Sequence, residues 1–279
     1  MLTNEQLHAI KKLQRECELE ESIQIKLNWD MLRRRNDKEI HDFFYYADKE
    51  LTGFLGFYRF GDKIELCGMV KPAYRRKGIF SELFREALTT LSKSNYKTIL
   101  LNAPSNSLSA AGFINTQHCE FSMTEHQMKC SDIKRYPNEN NDIIIRRAEN
   151  HDLNIEVELD VSCFNFPKEE AKAYNKRIKN DETHEFYMIE NKGQTLGKIR
   201  IARVDNELWI YGFAIFPEHQ GKGIGRAALL KLVNQERVRN LPIFLEVETK
   251  NTNALRLYES CGFKSYQSQD YYIYKNPLT

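Results

Sequence analysis

Leu208-Trp209-Ile210-Tyr211-Gly212-Phe213-Ala214-Ile215-Phe216 runs into Pro217-Glu218-His219-Gln220-Gly221-Lys222-Gly223-Ile224-Gly225, and then into Arg226 to Glu236. The first run is rich in aromatic and β-branched residues and reads as a strand. Gly212 inside it marks a bulge or a close backbone approach to a ligand. The last run places Leu229, Leu232 and Val233 on one helical face. The order is therefore strand, glycine-rich turn, helix. The free N–H groups at such a helix start carry partial positive charge and suit a pyrophosphate. Glycines let the backbone come close to it, and Lys222 and Arg226 add charge on the same side. Upstream, Glu185–Ile189 and Gly197–Val204 read as two more strands joined by a turn at Asn191-Lys192-Gly193.

Three motifs compete for the turn. A phosphate-binding loop of the G-x-x-x-x-G-K-S/T type fails because Gly223 follows Lys222. A G-x-G-x-x-G dinucleotide fingerprint fails because Gly221, Gly223 and Gly225 have the wrong spacing. The pattern Q/R-x-x-G-x-G/A is met at every fixed position by Gln220-Gly221-Lys222-Gly223-Ile224-Gly225. Here the chain resembles the GNAT N-acyltransferase superfamily. The resemblance implies an α/β (α+β) fold, a mixed, mostly antiparallel central sheet flanked by helices. It also implies that Gln220 to Arg226 hold the pyrophosphate of acetyl-CoA as cosubstrate. Main-chain groups around Phe213, Ala214 and Ile215 are then expected to face the acyl carbonyl.

Downstream, Phe244-Leu245-Glu246-Val247-Glu248 alternates as a strand and leads into Asn251-Thr252-Asn253-Ala254-Leu255-Arg256-Leu257-Tyr258-Glu259-Ser260-Cys261-Gly262-Phe263. This is similar to the second GNAT signature, N-x-x-A-x-x-L-Y-x-x-x-G-F. The resemblance implies that Asn251 bonds the CoA arm and that Tyr258 points at the thioester sulfur. A phenol with a pKa near 10 can protonate a departing thiolate. The plainer reading is a core tyrosine sharing a face with Ala254, Leu257 and Cys261. An attacking ammonium must first lose a proton, and Glu246 is the expected base. Its twelve-residue lead over Tyr258 is similar to that in bacterial ribosomal-protein alanine N-acetyltransferases. Glu248 shares its strand face, and Glu207 and His219 are weaker alternatives.

The glycine turn has a second copy. Met69-Val70-Lys71-Pro72-Ala73-Tyr74-Arg75-Arg76-Lys77-Gly78-Ile79-Phe80 repeats Ala214 to Gly225, with the same 145-residue offset from Pro72 to Pro217 and from Gly78 to Gly223. Gly112-Phe113 is expected to match Gly262-Phe263. The polar stretch around Pro137 and Asn138-Glu139-Asn140-Asn141-Asp142 reads as a linker. The expected domains are 1–130, a 131–142 linker, and 143–279. This tandem arrangement resembles mycothiol synthase.

The N-terminal copy departs from the pattern. Val70, Arg75, Arg76, Lys77 and Gly78 form a possible second CoA site, but Phe80 stands where the other copy has Gly225. A solvated basic turn is the alternative. Counting back from Gly112 puts Leu108 where Tyr258 would be, and a leucine cannot protonate a thiolate. Gly68 is expected near the place of Gly212, and Glu65 is available as a base. The N-terminal copy is therefore expected to be catalytically silent. An opening amphipathic helix over Thr3–Glu20, with Thr3 and Gln6 as a capping box, either covers the first domain or docks on the second.

Composition sets the remaining bounds. The 279 residues allow two domains, and 41% hydrophobic with 29% charged residues is ordinary for a globular protein. A net charge of +2 gives no reason to invoke nucleic acid or a membrane surface. The opening residues lack an apolar run, so neither a leader nor an anchor is expected. Six scattered cysteines without a C-x-x-C pair predict reduced thiols, a cytoplasmic location and no metal. The acceptor is expected to be an amine, on a small molecule or a protein N-terminus or lysine, meeting residues 152–180. The protein is expected to be a monomer or homodimer. A non-catalytic acyl-CoA-binding or scaffold protein is the competing reading.

Overall fold

Strand alternation and glycine turns produce one arrangement twice in the computed structural model, which describes residues 2–35, 40–92, 96–130, 142–204 and 206–275. The first copy opens with α1 (Asn4–Glu21), α2 (Trp29–Arg33), β1 (Asp42–Ala47), β2 (Glu50–Phe60), β3 (Lys63–Val70), α3 (Ile79–Leu91), β4 (Thr98–Pro104), α4 (Leu108–Ile114) and β5 (Cys119–Cys130). The second follows with β6 (Ile143–Arg147), α5 (Leu153–Phe164), α6 (Lys168–Lys179), β7 (His184–Asn191), β8 (Gln194–Val204), β9 (Glu207–Ile215), α7 (Ile224–Glu236), β10 (Ile243–Glu248), α8 (Thr252–Ser260) and β11 (Phe263–Tyr274). Among the described residues no helix is long and apolar enough to cross a membrane.

The chain forms two compact units, Met1–Glu125 with Gln267–Thr279, and His126–Tyr266. This differs from the expected 1–130 and 143–279: the tail of β5 belongs to the second unit and the end of β11 to the first. Residues 131–141 of the expected linker lie outside the described residues.

In the first unit β1, β2 and β3 are antiparallel neighbours, β4 joins β3 in parallel, and β11 joins β4 antiparallel from Gln269↔Pro104 to Ile273↔Leu100. A helical crossover is needed between parallel neighbours, and α3 supplies it. One face of this sheet packs Leu55, Phe57, Ile64 and Leu66 against Leu83, Phe84 and Ala87 of α3. The other packs Phe54, Tyr58, Cys67 and Met69 against Ile10, Leu13 and Cys17 of α1. The expected capping box starts α1: Thr3 Oγ1 accepts from Gln6 N at 3.1 Å, and Gln6 Oε1 accepts from Thr3 N at 2.9 Å. The helix thus covers the first unit.

In the second unit β6, β7, β8 and β9 are antiparallel neighbours, and β10 joins β9 in parallel across α7. Ile199, Ile201, Leu208, Ile210, Leu245 and Val247 face α7 and pack on Leu229, Leu232 and Val233. Met128, from the tail of β5, lies in the same core.

Tyr271 shows how much the first unit depends on the chain's return. It is 1% exposed, its hydroxyl donates to Glu125 Oε2 at 2.8 Å, and Lys26 Nζ donates to that hydroxyl at 2.9 Å. Tyr271→Ala should destabilise the first unit by roughly 3–5 kcal/mol, as other buried aromatic truncations do. Hydrogen exchange on peptides from β2 to β4 measures this, and unchanged protection there would contradict the packing.

Candidate active site

The site in the second unit begins where two parallel strands part. Pairing between β9 and β10 runs from Leu208↔Ile243 to Ile210↔Leu245 and goes no further. Beyond that point β9 bulges. Its register with β8 passes from Ala214↔Lys198 to Tyr211↔Arg200, so Gly212 and Phe213 together oppose Ile199. Gly212 adopts φ +53, a conformation that disfavours any residue carrying a Cβ. The bulge takes main-chain groups out of the ladder beside the gap.

The turn closes on the same place. Gly221 and Gly223 have φ +72 and +77, and Gly223 is the N-cap of α7. Gln220 Nε2 donates to Ile215 O at 2.8 Å, so this side chain ties the turn to the strand end. Lys222 Nζ donates to Glu218 O at 2.7 Å, and Arg226 lies in the first turn of α7. A Cβ on Gly225 would lie 3.4 Å from Leu257, 3.6 Å from Phe213 and 3.7 Å from Ile215. Gly225 therefore sets how closely the helix start approaches both the bulge and α8.

Asn251 is the N-cap of α8, with Oδ1 accepting from Ala254 N at 3.1 Å. Tyr258 is 9% exposed, its ring 6.5 Å from that of Phe213 and 6.2 Å from that of Phe263. Burial pushes its phenol up to about 12. Glu246 is the first residue of β10 beyond its pairing with β9. It alternates with Leu245 and Val247, which share the core of Tyr258, so its carboxylate leaves the sheet on the opposite face. Tyr258 and Glu246 thus stand on opposite faces at the gap between β9 and β10.

One residue at this site was not legible in the sequence. Gln127 Nε2 donates to Glu246 Oε1 at 2.8 Å. It is buried and belongs to the second unit, though the sequence reading assigned it to the first domain. No motif marks it, and only the pairing of the β5 tail brings it here. Of the other candidates, the Glu207 carboxylate accepts from Trp209 Nε1 at 2.9 Å, and Glu248 lies two residues beyond Glu246 on β10, its main-chain oxygen accepting from Asn251 N at 2.9 Å. His219 Nε2 lies 3.5 Å from Gln194 Nε2.

The first unit repeats the backbone and changes the side chains. Arg76 and Gly78 have φ +62 and +83, matching Gly221 and Gly223, and Arg75 Nε donates to Val70 O at 3.0 Å as Gln220 does to Ile215. Lys77 Nζ sits over the Tyr74 ring. Two expectations are corrected here. The register of β3 with β2 is unbroken from Val70↔Gly53 to Lys63↔Phe60, so Gly68 is no bulge. A Cβ on Gly68 would lie 2.5 Å from Phe54 O, which makes this glycine a packing requirement. Gly112-Phe113 is not the counterpart of Gly262-Phe263 either. Gly112 lies inside α4, whereas Gly262 follows α8 at φ +87. Ser107 caps α4 by accepting from Ala110 N, as Asn251 caps α8. Counting from the caps, buried Ile114 stands where Tyr258 does, and Leu108 is an 85% exposed first-turn residue. The phenol is still missing, but for a different position than expected. Glu65 pairs with Leu100 inside the closed part of the sheet, away from the gap.

Comparison with known proteins agrees with this geometry. The profile described as acetyltransferase (GNAT) family matches residues 5–115 and 154–263, one match per copy. The chain is 29% identical over 96 residues to spermidine N(1)-acetyltransferase of Vibrio cholerae, covering 33% of the chain and 56% of that protein. It is 34% identical over 97 residues to N-alpha-acetyltransferase RimI of Mycobacterium tuberculosis, covering 33% and 59%. A GCN5-related N-acetyltransferase from Sphaerobacter thermophilus superposes with a TM-score of 0.78, covering 95% of this chain and 91% of that one at 17% identity, which shows the fold. The chain spans less than two thirds of the length of the two curated relatives.

The burial of Tyr258 has a direct readout. Its ionisation is displaced upward, so a difference titration at 295 nm between the protein and Tyr258→Phe should show no phenolate step near pH 10. The raised value also means that the second unit loses stability as pH climbs from about 10, where the unfolded phenol ionises, through about 12. A Tyr258 step near pH 10 would show a solvated phenol.

Proposed function

This chain belongs to the acetyltransferase (GNAT) family, and from that premise we propose that its second unit transfers an acetyl group from acetyl-CoA to a primary amine. The observation that carries the reading is convergence. The bulge at Gly212-Phe213, the left-handed turn Gly221–Gly223 and the ring of Tyr258 meet beside the gap between β9 and β10. The residues fit the cosubstrate. A 13-residue helix opening on two positive-φ glycines suits a pyrophosphate, and Gly225 keeps its approach clear of side chain. Gln220 holds this turn on the strand end, and the cap formed by Asn251 fixes the start of α8.

In this reading Glu246 takes a proton from the attacking ammonium, directly or through one water. The carbon–nitrogen bond forms and the carbon–sulfur bond breaks. Tyr258 gives its proton to the departing thiolate, leaving an amide and the free thiol of CoA. Main-chain N–H groups of the bulge, around Phe213 to Ile215, face the acyl oxygen as it gains charge. Gln127 holds the Glu246 carboxylate and is a positioning residue. Spermidine and an α-amino group, named in the two relatives, are both primary amines and head the acceptor panel.

Calorimetric titration with acetyl-CoA, followed by turnover across amine acceptors, tests the reading. Gly223→Glu should abolish acetyl-CoA binding to the second unit, since it puts a carboxylate on a left-handed turn meant for an anion. Tyr258→Phe should bind acetyl-CoA normally and lower kcat by roughly 10²–10⁴-fold, the usual range for a general acid. Glu246→Gln should lower kcat while leaving acetyl-CoA binding intact. Folded protein that binds no acetyl-CoA would leave a scaffold, and turnover unchanged in both Tyr258→Phe and Glu246→Gln would overturn the assigned acid and base.

A further inference from the structure

The first unit holds a cavity of about 660 Å³ where β3 and β4 part beyond Leu66↔Leu101. This is a typical volume for a small-molecule site. Its wall includes Asn102, whose counterpart by distance from the helix cap is Glu246 in the second unit. Asn102 is 7% exposed, and neither its amide nitrogen nor its amide oxygen has a hydrogen-bond partner among the described residues. A buried side-chain amide with both ends unmet is expensive and is seldom retained without a reason.

Above Asn102 runs the segment from Glu21 to Ile25. Arg75 Nη1 donates to Glu21 Oε1, Ser107 Oγ donates to Glu21 Oε2 at 2.9 Å, and Ser109 N donates to the same oxygen at 3.2 Å. Burial raises the Glu21 carboxyl, but the bonds from Ser109 and Ser107 and the charge of Arg75 outweigh it and leave it below its ordinary value. Gln269 Nε2 and Gln267 Nε2 both donate to Gln24 O, at 2.9 and 2.7 Å. The segment thus joins the glycine turn to the start of α4, across the gap where a CoA arm would run. It places a carboxylate there and neutralises Arg75. Phe80, in the place of Gly225, lies against Phe113 with ring centroids 4.6 Å apart and fills the approach with an aromatic ring. Ile23, Leu55, Leu66, Met69 and Phe84 make the wall apolar.

From this we propose that the first unit is a binding site for a small uncharged molecule that presents a carboxamide or lactam group to Asn102 and an apolar body to the cavity. A carboxamide offers one acceptor and one donor side by side, the complement of what Asn102 offers. A free carboxylate meets Glu21 and lacks a donor for the Asn102 oxygen. An ammonium lacks an acceptor for the Asn102 nitrogen. A pyrophosphate finds Arg75 already paired. The inference does not depend on catalysis in the second unit.

The test uses the full chain, with hexanamide and benzamide as probes and hexanoate, hexylamine and CoA as comparisons. Saturation-transfer NMR and calorimetry are read on the wild type, on Gly223→Glu and on Asn102→Leu. The amides should bind the wild type and Gly223→Glu alike, and Asn102→Leu should weaken them by about tenfold, the loss of a paired polar contact. The charged analogues should fail to compete. Where Asn102→Leu does not fold, the side-chain amide resonance of Asn102 in nitrogen-15-labelled wild type decides. Hexanamide should shift it and hexanoate should not. Amide binding that is equal in Asn102→Leu overturns the proposal. So does absence of amide binding to folded wild type up to its solubility limit, or CoA that binds Gly223→Glu and shifts the Asn102 resonance.

Discussion

Both copies depend on a pair of parallel strands that stop pairing partway. Hydrogen bonding between β9 and β10 ends at Ile210↔Leu245, and between β3 and β4 at Leu66↔Leu101. Elsewhere a sheet separates its two faces with a continuous backbone. At the parting point the faces communicate, and a group rooted on one can meet a group rooted on the other. This constraint lets buried Tyr258, within the α7-facing core, and Glu246, on the opposite face, belong to one site. In the first unit the same opening leads into a cavity.

The copies share their backbone more closely than their chemistry. Arg76 keeps the left-handed conformation of Gly221 although a Cβ there costs roughly 1 kcal/mol. The carbonyl at the end of the third strand is held by a side chain in each copy, Arg75 on Val70 and Gln220 on Ile215. The positions that carry the proposed chemistry differ: Gly225 against Phe80, Glu246 against Asn102, and Tyr258 against Ile114. Each change in the first unit removes a charge, a proton donor or an open approach. The missing bulge agrees with this, since β3 is one residue shorter than β9 and stays in register throughout.

Strand membership also shapes the site. The tail of β5 gives the second unit Met128 for its core and Gln127 for the Glu246 carboxylate, while the end of β11 gives the first unit Tyr271 beside β4. A polar residue that orients the candidate base is therefore more than a hundred residues from it in sequence. A side chain of this kind carries no local signature, because its role comes from strand pairing and not from spacing.

Much of the fold was legible in the residues. The glycine turn, the strand before it and the helix after it follow from local chemistry: positive-φ glycines, β-branched alternation and a 3.6-residue apolar period act within one stretch of chain. The capping box at Thr3 and Gln6 is legible for the same reason. Counting failed where a motif had shortened, so Gly112-Phe113 resembled Gly262-Phe263 in letters while lying inside a helix. Sequence by itself determined the duplication, from a repeat at a fixed 145-residue offset, and the strand–turn–helix order, which rests on neighbours a few residues apart. Only the tertiary structure decided the bulge at Gly212, the partner of Glu246, the burial of Asn102 and the placing of Glu21 against Arg75. These depend on which distant strands and segments come together, and a linear pattern does not encode that.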